Sequence, residues 1–150
     1  MEVLEVRRLR VVAYAPGTDP VRPSPVGKEW LAAGTANQTE LVGGPVKGAL
    51  FDFAPAIDQY LKTHLFGDIF ARDNFDWQSR ELATIGMLSA MSGLESQLEA
   101  HVRFAMNVGL SASQLGEVAD GLALRDQAHA ARRVREALAK HTGKAPLTPQ

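Results

Sequence analysis

Two residues suited to proton transfer lie in residues 76–109, DWQSRELATIGMLSAMSGLESQLEAHVRFAMNVG. His101 falls within an apolar stripe at helical spacing, and Glu81 precedes it by twenty residues. An imidazole can give or take a proton near neutral pH, and a neighbouring carboxylate can orient it. On spacing alone, a core histidine bonded to a backbone carbonyl is a better explanation of His101 than a catalytic one. Glu81 fits equally well as an acid interacting with a helix N-terminus. The sequence therefore offers a candidate acid/base pair, with a structural alternative for each member.

Four further side chains are candidates for binding a substrate. Arg80 and Arg72 carry guanidinium groups, which bind a carboxylate through two parallel hydrogen bonds. His64 falls on an apolar face, as His101 does, and is a candidate to enter the same pocket. The alternative for Arg80 is an ordinary surface ion pair. Trp77 is a weaker candidate, because an aromatic residue at this position is better explained as an anchor of the helix start or as a subunit contact.

Other kinds of chemistry find little support in the residues. His64, His101 and Glu81 are residue types that bind metals, but no H-x-x-x-H or H-x-H pair accompanies them. Glycine-rich phosphate loops, the G-x-S-x-G elbow and the dinucleotide fingerprint are all absent from the sequence. The chain contains no cysteine, which excludes disulfides, thiolate metal sites and thiol-based redox chemistry carried by this chain. We expect neither a metal ion nor a cofactor.

The residues around the candidate pair predict two helices joined at Ser92-Gly93. Asp76 is a suitable N-cap for the first helix, and Gly109 a suitable C-cap for the second. From residue 82 to residue 91 the only polar side chains are small, so the first helix should be buried on nearly all sides. Because the remaining helices are short, a monomer would bury this helix poorly. We therefore expect a homo-oligomer.

The rest of the chain divides into three predicted regions: an N-terminal arm (1–50), a helical domain (51–142) and a frayed tail (143–150). Four prolines between residues 16 and 25 predict an extended, loop-rich arm. Within that arm we expect a short helix over residues 28–33, ended by Gly34, and an irregular connection over residues 35–48. In the helical domain, apolar spacing predicts further helices from Pro55 to Gly67, around residues 111–122 and over residues 126–141.

Composition limits the partners of the protein. Its 150 residues fit one domain, and a net charge of −1 gives no electrostatic reason to expect nucleic acid or an anionic membrane as partner. No run of eighteen apolar residues is present, and the N-terminus lacks the layout of a secretory signal. We expect a soluble, cytoplasmic protein.

Residues 62–115 carry several features that occur together in one known family. They are Arg80-Glu81-Leu82 at the start of the predicted buried helix, the turn at Gly93, and Gln97-Leu98. They continue with His101 and with Asn107-Val108-Gly109-Leu110 at the end of the next helix. In these features the segment resembles the carboxymuconolactone decarboxylase family, an all-helical group that includes the alkylhydroperoxidase D-type proteins. The first forty residues are not covered by the resemblance.

The resemblance implies an all-α, alkylhydroperoxidase D-like helical bundle that assembles as a trimer or hexamer, with a small pocket at a glutamate-histidine pair. Peroxidase-type relatives carry a C-x-x-C pair just before the histidine, and Leu94 and Gln97 occupy those positions here. Peroxidase chemistry is therefore disfavoured. The resemblance favours a cofactor-free decarboxylase that acts on a small carboxylated lactone or related acid, with His101 and Glu81 as catalytic residues. The alternative is a non-catalytic oligomeric protein that binds a small molecule on the same scaffold.

Overall fold

A computed structural model describes residue 9, residues 18–22 and residues 26–143 of the chain. Within this part of the chain every regular element is helical, so the predicted all-α fold is confirmed. The elements are α1 (Lys28–Val42), α2 (Ala49–Phe53), α3 (Pro55–Tyr60), a π-helix (Leu61–Ile69), α4 (Trp77–Ser89), α5 (Glu95–Asn107), α6 (Ala112–Ala123) and α7 (Ala128–Thr142). No helix among the described residues has both the length and the apolar character needed to cross a bilayer.

The predicted hairpin is present as α4 and α5. The carboxylate of Asp76 accepts a hydrogen bond from the backbone N–H of Ser79 at 2.7 Å, which caps α4 as expected. This hydrogen bond holds the pKa of Asp76 below its usual value. Gly93 adopts a left-handed backbone (φ 81°) in the connection between the two helices.

Helices α6 and α7 complete a core against the hairpin. Ser111 and Gln114 form a capping box at the start of α6, because each side chain accepts a hydrogen bond from the other residue's backbone N–H. The core is apolar and is contributed by all four helices. Its buried members are Ile85, Leu98, Val102, Ala105, Leu110, Leu115, Ala119, Val134 and Ala137.

The N-terminal region contains more regular structure than predicted. Helix α1 runs through Gly34 to Val42, so the expected helix end at residue 34 and irregular connection over residues 35–42 are wrong. Gly34 is buried against the π-helix, where an added Cβ would overlap the carbonyl group of Lys62. The glycine is therefore needed for close helix packing rather than for chain termination. The division into arm, domain and tail stays a prediction, and residues 144–150 of the tail lie outside the described residues.

The helix predicted from Pro55 to Gly67 also differs in kind. It begins at Pro55 but becomes a π-helix from Leu61 and passes through Gly67, which does not end it. An added Cβ at Gly67 would lie 2.6 Å from the carbonyl oxygen of Trp30, so this glycine too serves close packing against α1. A π-helix turns less per residue than an α-helix. Leu61 and Leu65 pack against one buried cluster, whereas His64, which was predicted to lie on an apolar face, is exposed.

Several large apolar side chains are exposed in the single chain. Met87 on α4 is 63% exposed, and Met91, two residues after the end of the helix, is 50% exposed. The chain alone therefore does not bury α4 on all sides. Helices α2 and α3 contain no buried residue, and Phe53 is 88% exposed. The expected homo-oligomer stays a prediction.

Candidate functional site

Glu81 and His101 meet across the α4–α5 hairpin. The Oε2 atom of Glu81 lies 2.7 Å from Nδ1 of His101, within hydrogen-bonding distance. The Glu81 side chain is fully buried, whereas that of His101 is 29% exposed. The structure thus brings together the two residues predicted to form the acid/base pair.

Neither structural alternative, a core histidine bonded to a backbone carbonyl or an acid at a helix N-terminus, fits the positions of these two residues. Nδ1 of His101 contacts a carboxylate rather than a backbone carbonyl. Helix α4 begins at Trp77, and Glu81 lies beyond its first turn, where the interaction with the helix N-terminus is weak. The second oxygen of Glu81, Oε1, is buried without a hydrogen-bond partner. The carboxylate is therefore directed to the imidazole, at the cost of an unsatisfied oxygen.

When Glu81 is ionised, its contact with Nδ1 determines which imidazole nitrogen is free. An ionised carboxylate only accepts hydrogen bonds, so Nδ1 of His101 must carry the hydrogen that bonds Glu81. In the neutral ring, Nε2 is then left as an unprotonated acceptor. Within the described residues Nε2 makes no hydrogen bond to the protein. The arrangement can accept a proton on Nε2 and return it, with the charge of the imidazolium balanced by Glu81.

Phe104 also orients the histidine and was not singled out from the sequence. Its ring meets that of His101 edge to face, with centroids 5.2 Å apart and planes at 72°. The spacing of three residues on α5 places the two side chains on neighbouring positions of one helix face. This spacing is the sequence feature that could have identified Phe104 as a neighbour of His101.

Arg80 is the arginine next to Glu81 in sequence, and its guanidinium has no carboxylate partner among the described residues. Its Nε donates to the carbonyl of Phe75 at 3.0 Å, and the group lies over the rings of Phe70 and Phe75. Partial burial lowers the pKa of Arg80, and the neighbouring charge of Arg72 lowers it further. Arg80 can therefore bind an anion without first breaking an ion pair.

The other three candidates have different surroundings. Arg72 donates two hydrogen bonds to Asp68, at 3.2 and 3.0 Å. The Nε1 of Trp77 donates to the carbonyl of Phe70 at 2.8 Å, so this residue does anchor the start of α4. The side chain of His64 is 71% exposed, with Nδ1 3.9 Å from a carboxylate oxygen of Asp68. Its predicted place on an apolar face is wrong, because the π-helix displaces it outward.

An open cleft of about 790 Å³ lies beside the start of α4 and was not predicted. Trp77 and Arg72 line it, but Glu81 and His101 do not. Three carboxamide residues share its wall: Asn37, Gln78 and Asn107. No local sequence signal identifies them, because they come from three separate parts of the chain.

The described residues offer no cluster suited to a metal ion. No group of three or more histidine, cysteine, aspartate or glutamate side chains lies close enough together there to hold one.

Comparison with known proteins gives the family of the chain. The sequence model of the Carboxymuconolactone decarboxylase family matches residues 55–140, more than half of the 150 residues. The matched segment includes both residues of the pair and the hairpin that carries them. No curated protein matches the chain. The chain belongs to the carboxymuconolactone decarboxylase family and has the all-α helical fold expected of it.

Proposed function

We propose that this protein is a cofactor-free lyase that decarboxylates a small carboxylated lactone or a related acid. The observation that carries the proposal is the contact between the buried Glu81 carboxylate and Nδ1 of His101, which leaves Nε2 free for proton transfer. Membership of the family supports the reaction class.

The proposed reaction replaces a carboxylate by a proton. The bond between the substrate carbon and its carboxylate breaks, carbon dioxide leaves, and the electron pair passes to the conjugated carbonyl as an enolate. Protonated His101 then gives its Nε2 proton to the carbon, and the ring recovers a proton from water. Glu81 lowers the cost of the imidazolium form because its negative charge lies at Nδ1.

Arg80 is the better candidate for holding a carboxylate of the substrate. Its guanidinium has no carboxylate partner in the described part of the chain, whereas that of Arg72 is bonded twice to Asp68. Binding at Arg72 would require that ion pair to break or share its charge. His64 and Trp77 have weaker support, since one is exposed and the other anchors α4.

Carbon dioxide release and lactone consumption by purified protein test the proposal. We expect turnover by the natural sequence and by His129→Ala, a matched control at an exposed histidine of α7. His101→Ala should reduce the rate constant by at least about 100-fold, the scale of general acid–base catalysis. Equal rates in the two histidine variants would refute the catalytic role of His101.

The alternative from another class is a non-catalytic oligomeric protein that binds a small molecule on the same scaffold. It predicts that carboxylated lactones bind saturably and that no product forms. Neither the natural protein nor His101→Ala would then consume the ligand. Peroxidase function is disfavoured because the chain has no cysteine. Hydroperoxide turnover by the purified chain alone would contradict that exclusion.

We further propose that the protein functions as a homo-oligomer, a trimer or a hexamer. Leu50, Phe53 and Tyr60 on α2 and α3 are 58%, 88% and 72% exposed, which is unusual for large apolar side chains near one another in sequence. Asp52 and Asp58 in the same segment make it unsuited to an anionic membrane surface. A second copy of the chain is the partner that would cover these side chains.

A further inference from the structure

Residues 18–22, here called the strap, are fastened to the turn before α4 by the side chain of Asp73. Oδ1 of Asp73 accepts a hydrogen bond from the backbone N–H of Val21 at 2.9 Å, and Oδ2 accepts one from that of Arg22 at 3.1 Å. The same Oδ2 also accepts a hydrogen bond from Nε of Arg22 at 3.2 Å. One carboxylate therefore receives three hydrogen bonds from a segment that is distant in sequence.

The attachment of the strap is made by polar contacts at the surface. Asn74 adds one further hydrogen bond, because its Nδ2 donates to the carbonyl of Thr18 at 2.9 Å. Val21 and the side chain of Arg22 are exposed, and no residue of the strap is buried. Apolar burial therefore contributes little to holding the strap. A segment held in this way can open locally while the rest of the fold stays intact.

The strap forms part of the wall of the open cleft. Arg22 and Asp73, which are joined by the attachment, both line the cleft. Phe75 and Trp77 line it as well, and the guanidinium of Arg80 lies over the ring of Phe75. Release of the strap from Asp73 would remove Arg22 from the wall and widen the cleft on that side. The position of the strap therefore determines how easily a solute reaches these aromatic side chains.

The neighbouring charged groups are engaged elsewhere. Arg72 donates two hydrogen bonds to Asp68, and Asp76 caps α4. Arg80 donates to a carbonyl of the turn and lies over two aromatic rings. In the described part of the chain no hydrogen bond or ion pair joins Arg72, Asp76 or Arg80 to the strap. Loss of the Asp73 carboxylate would therefore not be compensated by one of these neighbours.

The attachment also keeps Asp73 ionised. Desolvation of the carboxylate raises its pKa, but the hydrogen bonds from Val21 and Arg22 together lower it below the usual 3.8. At neutral pH the carboxylate can therefore accept all three hydrogen bonds, and the strap is fastened.

We propose that the strap is a lid whose attachment to Asp73 controls access to the cleft beside α4. In the closed state, which the structure represents, the strap borders the cleft. In the open state residues 23–27 still connect it to the start of α1. Such a tether keeps the local concentration of the strap high, so that it can close again. The proposal concerns access to the cleft and does not depend on the proposed lyase function.

Hydrogen exchange of backbone amides in the full chain, followed by NMR at neutral pH, tests the attachment. Asp73→Ala should speed exchange at Val21 and Arg22 at least about tenfold, because both amides lose their acceptor. Asp52→Ala is the matched control, since it removes an exposed aspartate of α2 that does not line the cleft. It should change these rates less than about twofold. Equal exchange rates in the two variants overturn the proposal.

Quenching of tryptophan fluorescence by acrylamide, a neutral solute, tests access to the cleft. Asp73→Ala should raise the quenching constant up to about twofold, because Trp77 becomes easier to reach when the strap opens. The other tryptophan, Trp30, does not line the cleft. Replacing Trp77 by phenylalanine should therefore abolish the effect of Asp73→Ala. An unchanged quenching constant, or a rise that persists without Trp77, would contradict the control of access; far-UV circular dichroism confirms that all variants are folded.

Discussion

Removing one partner of the Glu81–His101 pair should destabilise the fold, and removing both should cost less than the sum. His101→Ala leaves a fully buried carboxylate with no hydrogen bond to either oxygen, because Oε1 already lacks one. Breaking a buried pair in this way costs about 3–5 kcal/mol. Glu81→Gln keeps the shape without the charge and should cost about 1–3 kcal/mol.

In the double variant the buried charge is absent, so the loss of His101 no longer leaves it unpaired. We expect a coupling free energy of about 2 kcal/mol between the two substitutions. Urea unfolding of the four proteins at pH 7, followed by circular dichroism, measures it. Additivity within about 0.5 kcal/mol would refute the account of a buried, charge-assisted contact. A loss below about 1 kcal/mol in His101→Ala would refute it too.

Three further predictions concern the fold and its assembly. Gly34→Ala should lower the free energy of unfolding by at least about 2 kcal/mol, because the added Cβ overlaps the π-helix. The control Gly116→Ala, with open space at its Cβ, should be neutral or stabilising. Equal effects of the two substitutions would contradict the close packing at Gly34. Since Asp76 has a folded-state pKa below its usual 3.8, the stability that it contributes is present above that pH and lost as pH falls through the folded value. Asp76→Asn should reduce the change of the urea unfolding midpoint with pH below about pH 4. An unchanged pH dependence would count against the stabilising role of the cap. Size-exclusion chromatography with light scattering should give a molar mass several times the 16.2 kDa of one chain for the natural protein, and a lower mass for Phe53→Ser. A monomer in both would contradict the proposed assembly.

The hairpin could be predicted because its signals are local. Asp76 as an N-cap, the Gly93 turn and the apolar stripe of α5 each depend on residues within one or two helical turns. The glycines at residues 34 and 67 were wrongly predicted to end helices, because their role depends on contacts distant in sequence. A glycine that ends a helix and one that lets two helices approach look alike in sequence, and only the packed structure distinguishes them.

The candidate site was predictable to the extent that α-helical spacing holds. Glu81 and His101 lie on regular helices, and the resemblance to a family identified the pair. His64 was misplaced because residues 61–69 form a π-helix, for which the chain carries no recognisable signal. The cleft could not be predicted, since its carboxamides lie up to seventy residues apart and meet only through the carbonyls that they bond.

We propose that Glu81 sets the protonation of His101 so that Nε2 is the reactive nitrogen. Nitrogen-15 NMR of histidine-labelled protein over a pH series measures this directly, with the His101 signals assigned from His101→Asn. We expect the neutral ring to carry its proton on Nδ1 and Glu81→Gln to disturb this preference. A neutral ring protonated on Nε2 in the natural protein would contradict it.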